Sequence, residues 1–439
     1  MAPFLAATAT AAVAARSSFG WLLPLLLSRY LVIPSWEQLE SKIPSIGQPT
    51  RTFREDSLLD QNTKNGRLVL YRDKQGVCPL SEQVWLALEL KNIDYLTVLV
   101  DKEMDNIGLE SDYASLSPVC LEWPDGVKQT DVMEILERLE EKYPGNPNFF
   151  PSISVAVDSV RCNIVRFQGV FPRNTLANWY APYLIKKDAS SLVDENQHLV
   201  TLEETDEVLD EYDDGNYLCG DKITAADIVW APFLERYAAQ LPLIFEGDDM
   251  TPRSSEYETL KEWYEAMEER VPAYVCRVMG DKKSWERYLQ KGVQEGKVPC
   301  IQEDDLLPSR GKAIPTNRPK LKAENIWKQY ASTRPHVADT PELECVSFYV
   351  RNRDAIIADA TKDLSNMSAD EIEGALREVL AALMEGADAQ VVAKLSGNAR
   401  ELATYLDEKL CVPRDMGVLP ASVLRTLALA APKPRIASR

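Results

Sequence analysis

The stretch LVLYRDKQGVCPLSEQVWLALELKNIDY, Leu68 to Tyr95, limits the possible folds more than any other part of the chain. RLVLYR (67–72) reads as a short buried strand. PLSEQVWLALELKNI (79–93) carries apolar residues at 80, 84, 85, 88 and 90, the recurrence of an amphipathic helix, and DYLTVLVDK (94–102) reads as a second strand. The order is β-α-β, with a cysteine set immediately before the proline that opens the helix.

The pattern continues. SLSPVCLEW (115–123) reads as a third strand entered through Ser117-Pro118, PDG as a hairpin turn, and TDVMEILERLEEKY (130–143) as a closing helix. A proline fits a strand only at its first residue or an edge, and a cis Ser117–Pro118 bond suits that position. PGNPNFFPS (144–152) is a linker by composition, and residues 153–290 read as helical. In TLEETDEVLDEYDDG, Leu202, Thr205, Val208, Leu209 and Tyr212 share one helical face, with carboxylates on the other. In GDKITAADIVW, Thr224 and Asp227 have the spacing of a reciprocal cap on a very apolar helix. TLKEWYEAMEERVPAYVCRV supplies another amphipathic helix, stopped by Pro272. Residues 291–322, rich in Pro, Gly and charge, read as an exposed connection, and 323–439 as a further helical unit. There, TPELECVSFYVRNRDAIIADA reads as one helix and Ser368/Glu371 as a capping box.

Composition excludes several functions. A net charge of -19 leaves no basic face for nucleic acid. The eight cysteines contain no CxxC pair and only His198 and His336 are present, so the chain is poor in disulfide-framework, metal-site and cysteine–histidine chemistry, and a reducing compartment is expected. The first acidic residue is Glu37, and the preceding Ala-, Ser-, Thr- and Arg-containing stretch has the composition of an organelle transit segment. Residues 1–50 are therefore expected to be a removable targeting segment, with a plastid as destination and a mitochondrion or the cytoplasm as alternatives. The apolar run 19–33 is too short for a spanning helix and contains Arg29.

Cys78 ends the loop after the first strand, with Pro79 at the first helical position. A sulfur there faces free helix amides, whose partial positive charge favours thiolate, so a lowered pKa and a nucleophilic role are expected. Simple filling of a turn is the competing reading. Ser81 stands where a dithiol motif would place its second cysteine, so a redox reaction at Cys78 would need an external thiol.

With these motifs in this order, residues 67–290 resemble the cysteine-type branch of the glutathione transferases, the omega, dehydroascorbate-reductase and lambda classes. The resemblance implies a thioredoxin-like α/β domain (67–143), an all-α glutathione-transferase C-terminal domain (153–290), a linker (291–322) and an additional α-helical extension (323–439). Glutathione would be the co-substrate and no metal is expected. Carried over by position, Cys78 matches the mixed-disulfide cysteine and Ser117 precedes the matching cis-proline, Pro118. Gln129 and Thr130 match the residues holding the γ-glutamyl end, and Lys102 a base at the glycyl carboxylate. Gln129 departs from the family's usual acid and brings no charge to the γ-glutamyl ammonium. Ser117 stands where valine is commoner, in a contact made by the main chain. The expected activity is glutathione-dependent reduction of a small oxidised or disulfide substrate, such as dehydroascorbate or a glutathionylated thiol. The alternative is a non-catalytic scaffold that keeps the transferase fold and docks a protein partner through 323–439.

Overall fold

The computed structural model describes residues 31–45, 50–52, 66–100, 119–145, 147–151, 154–170, 195–212, 215–247, 249–296, 303–309 and 320–430. The chain divides into two compact units, one made of residues 1–45, 340–410 and 420–439, the other of 46–339 and 411–419. This grouping differs from the sequence-based boundaries in three places. The described residues 31–45 go with the helical extension. Residues 320–339 go with the transferase-like unit, and so does the short segment 411–419.

In chain order, the extension unit contributes α1 (Trp36–Glu40). The second unit then supplies β1 (Thr50–Thr52), β2 (Leu68–Asp73), α2 (Pro79–Leu90), β3 (Tyr95–Val100), β4 (Cys120–Glu122), β5 (Lys128–Gln129) and α3 (Val132–Lys142). The five strands form one mixed sheet of order β1-β3-β2-β4-β5. β2 runs parallel to β3, from Leu68 opposite Tyr95 to Asp73 opposite Val100, and antiparallel to β4. The β2–α2–β3 crossover is the expected β-α-β unit, and Val69, Tyr71, Leu96 and Val98 form a buried cluster on the sheet. Trp123 and Val127 close the β4–β5 hairpin through a 2.8 Å backbone bond across the Pro-Asp-Gly turn.

α2 departs from the amphipathic expectation. Leu80 and Leu90 are only half-buried, while Glu82, Gln83 and Glu89 are buried. Partners far along the chain make that burial tolerable, because a buried charge or amide is costly until it is bonded. Gln83 donates to the Val229 carbonyl at 2.8 Å, and Glu89 accepts from Tyr95, Tyr330 and Arg334 at 2.7, 3.0 and 3.1 Å.

The helical part of this unit comprises α4 (Ser154–Val170), α5 (Glu195–Asp210), α6 (Ala225–Ile244), α7 (Glu258–Arg270), a π-helical turn (Tyr274–Val278), α8 (Lys282–Gln294) and α9 (Lys320–Ala331). α7 stops at Arg270, just before Pro272, as the sequence implies, and Tyr274–Val278 winds separately as the π-helical turn. α6 is the central element, packing on α2, α4 and α8. Its start is built on Asp227, which is fully buried. One oxygen accepts from the Thr224 amide at 2.8 Å, as the capping pattern predicts. The other accepts from the Leu218 amide at 2.9 Å and the Trp263 indole at 3.0 Å, so the residue also ties α6 to a loop and to α7. The described part of the expected exposed connection is bonded back to this unit, Leu307 to the Leu243 carbonyl at 2.9 Å and Ser309 to Glu286 at 2.8 Å.

The remaining helices are α10 (Pro341–Arg351), α11 (Arg353–Asp363), α12 (Ala369–Met384), α13 (Ala389–Ala393), α14 (Gly397–Lys409) and α15 (Val418–Ala430). The single helix expected across 340–360 is broken at Asn352, whose side chain bonds the Phe348 carbonyl at 2.7 Å. The Ser368/Glu371 capping box is present. Within the same unit, Leu39 of α1 is fully buried and Trp36 donates to Glu373 at 2.8 Å. Part of the segment expected to be removable therefore folds with the extension. Among the described residues, no helix is long and apolar enough to cross a membrane.

Candidate functional site

Cys78 occupies the position its sequence implies. It is the N-cap of α2, with extended backbone (φ -76°, ψ 120°) and Pro79 following at the first helical position. The chemistry there differs from the expectation. The residue is 2 % exposed and its sulfur makes no capping hydrogen bond. The Asp73 carboxylate spans the loop, accepting from the Val77 amide at 2.8 Å and the Cys78 amide at 3.2 Å. Burial, reinforced by this carboxylate, pushes the thiol up to about 12, against the pull of the Ser81 and Leu80 amides. The expected lowering is corrected on that ground: the helix start favours the anion, but exclusion of water and the nearby negative charge outweigh it.

Beneath the loop lies a buried ionic cluster that the sequence reading missed. Arg236 of α6 donates to the Val77 carbonyl and to Glu82 of α2, each at 2.9 Å, and also to the Pro232 carbonyl, while stacking 4.2 Å from the Trp285 ring centre. Its neighbour Glu235 accepts from Tyr274, the Gly280 amide and Trp285 at 2.8, 2.7 and 2.5 Å. Burial raises the pKa of both carboxyls, and each is the other's close acidic neighbour. The available signal was an adjacent Glu-Arg pair inside an otherwise apolar helix. Arg72 of β2 and Arg277 of the π-helical turn face the Trp85 ring at 4.3 and 4.7 Å.

Of the other candidate residues, Lys102, Ser117 and Pro118 lie outside the described residues. Gln129 lies on β5, paired with Leu121, rather than opening the next helix. Its side-chain oxygen accepts from the Trp123 indole at 2.7 Å. That bond orients the amide, leaving its NH₂ end as the group able to donate to a carboxylate. Thr130 sits between β5 and α3 and is not the helix cap; Asp131 is, accepting from the Glu134 amide at 3.0 Å. Among the described residues, no group of three or more His, Cys, Asp or Glu side chains could hold a metal ion.

Two segments match family models, residues 77–142 that of the glutathione S-transferase N-terminal domain and residues 191–266 that of the C-terminal domain. Together they support the glutathione transferase family and a thioredoxin-like domain followed by the family's all-helical domain, and they cover less than half of the chain. Among solved structures, the chain is similar to a glutathione S-transferase from the Antarctic clam Laternula elliptica, with 20% identity, 47% of this chain and 90% of that one covered, and a TM-score of 0.33. It is also similar to glutathione transferase Omega 3C from Trametes versicolor, with 18% identity, coverage of 52% and 92%, and a TM-score of 0.38. A third is a glutathione transferase homolog from Drosophila mojavensis with bound glutathione, at 20% identity, coverage of 46% and 87%, and a TM-score of 0.36. No curated protein sequence matches the chain.

Proposed function

We propose that the chain is a glutathione-dependent thiol transferase or reductase with Cys78 as nucleophile. The observation that carries this reading is the placement of Cys78 at the head of α2, directly after β2, within a segment that matches the glutathione S-transferase N-terminal domain. The Cys78 thiolate attacks a glutathionylated thiol at the glutathione sulfur, forming a Cys78–glutathione disulfide and releasing the other sulfur as a thiolate. A second glutathione thiolate then attacks the bound glutathione sulfur, restoring Cys78 and leaving as glutathione disulfide. Ser81 supplies no second thiol, so the external one completes the cycle. Gln129 and Thr130 would hold the γ-glutamyl end, Lys102 the glycyl carboxylate, and the main chain at Ser117–Pro118 the cysteinyl unit. In the fold described, the thiol is buried and un-ionised, so turnover requires the loop around it to open. The acid-free stretch before Glu37 supports delivery to a plastid.

Two observations favour a second reading, a non-catalytic scaffold whose helical extension docks a partner: the burial of Cys78 and the engagement of the Gln129 oxygen by Trp123. Retention on immobilised glutathione, together with reduction of a glutathionylated peptide by the full chain and by Cys78→Ser, separates the two. Retention with turnover that disappears in the variant supports the enzyme. Absence of both leaves the scaffold.

A further inference from the structure

Residues 411–419 join the transferase-like unit although both neighbouring stretches of chain belong to the other one. Within that unit they lie against the loop that ends at Cys78. Arg414 donates to Gln75 at 3.0 Å. Its backbone lies in van der Waals contact with Gly76, where a Cβ would be 3.5 Å from the Arg414 Cα, and Gly76 has the left-handed φ of +69°. Val412 donates to Ser284 of α8 at 3.0 Å, and the Cys411 sulfur lies 3.2 Å from the Tyr288 hydroxyl. Tyr288 packs against the small cluster of Val77, Ala239 and Trp285. At the far end, Gly417 meets the π-helical turn, where an added Cβ would fall 1.8 Å from the Cys276 carbonyl oxygen. The segment is thus held at both ends and in the middle, over residues 75–77.

We propose that residues 411–419 are a strap that closes the loop over the Cys78 thiol, and that its release gates access to this sulfur. Cys78 is 2 % exposed at the end of this turn, and the strap, with Arg236 and Tyr288, is one of the distant groups bonded to it. Two hydrogen bonds, the Cys411–Tyr288 contact and the Gly417 approach hold it, and Val412, Met416 and Val418 are buried, but none of these contacts is made by Arg236 or Glu82. They can part without opening the buried Arg236–Glu82 pair below. The inference concerns access to a thiol and stands whether or not Cys78 performs catalysis.

The test uses the full chain and iodoacetamide, with each cysteine-containing peptide quantified by mass spectrometry at fixed pH. Gly417→Ala drives a methyl into the Cys276 carbonyl and lifts the strap, so Cys78 alkylation should accelerate about tenfold or more. Should that variant fail to fold, Arg414→Ala leaves the main chain unchanged and removes the bond to Gln75, with about a threefold acceleration expected. An unchanged Cys78 rate in a folded variant overturns the proposal. So does a rise shared equally by the other seven cysteines, which would report general unfolding rather than a gate. Because alkylation needs no glutathione, failure here is distinguishable from failure of the transfer assay.

Discussion

Replacing Asp227 with alanine removes the acceptor for four donors at once: the Leu218 and Thr224 amides, the Thr224 hydroxyl and the Trp263 indole. Each buried donor left unsatisfied costs about 1–3 kcal/mol. Burial holds the carboxyl above its usual range, so removing it recovers part of its desolvation penalty and offsets some of that loss. The expected net destabilisation is about 3–5 kcal/mol, well beyond the about 0.5–2 kcal/mol of a simple helix cap. Asp227→Asn keeps one oxygen for the Leu218 and Trp263 donors but turns an NH₂ toward the Thr224 amide, so it should lose roughly half as much. Native-state hydrogen exchange at the Leu218 and Thr224 amides reads the effect within this unit, avoiding the assumption that the whole chain unfolds in one step. A loss of about 1 kcal/mol or less for the alanine variant would refute the argument. Equal losses for both variants would show that the four-donor geometry does not matter.

Cys78 in the resting fold should show an alkylation rate still climbing above pH 9, unlike a free thiol of pKa about 8.5. Because its folded value is raised, the folded state keeps a proton that the unfolded chain gives up, so it lowers stability as pH rises past about 8.5. A plateau near pH 8 in the alkylation profile would contradict this. His198 is buried against Tyr237 and Phe245, and burial lowers its pKa to about 4. Stability should therefore fall by up to about 3 kcal/mol as pH drops from about 6.5 to 4, as the unfolded chain takes up the proton first. His198→Phe should flatten that part of a stability-against-pH curve, and an unchanged slope would count against the assignment. Arg236→Met strands Glu82 without its cation and should cost about 3–5 kcal/mol. Adding Glu82→Gln should restore at least half in denaturant melts, and no recovery would mean the pairing is not the source. If a transit segment is removed, mature-protein sequencing should place the new N-terminus before Ser35, because Trp36 and Leu39 are part of the extension's fold. A start beyond Leu39 would refute this.

The periodic stretches carried the β-α-β order, the hairpin and most helices, because those depend on local spacing and turn chemistry. What failed was long-range. Cys78 looked activated because a helix start is visible in five residues, whereas its burial and the Asp73 carboxylate folded back over the loop are not. α2 looked amphipathic because Glu82, Gln83 and Glu89 are polar, yet their partners Arg236, Val229 and Arg334 come from far downstream. Thr224 and Asp227 were legible as a cap at a separation of three residues, but the bonds to Leu218 and Trp263 required the tertiary fold. Pro272 was legible as a helix stop, whereas Asn352 lies inside a stretch of helical pattern and its break, with the side chain bonded to the Phe348 carbonyl, was not.

The strap also has a consequence for how the chain is made. A unit that borrows residues 411–419 cannot be finished when its own contiguous part, ending at Asp339, has been synthesised. Roughly 70 residues of the extension must be translated first, which takes about 4–14 s at about 5–20 residues per second. During that interval the loop carrying Cys78 lacks its bond from Arg414, so residues 411–419 are laid onto a unit whose own contiguous sequence is already complete.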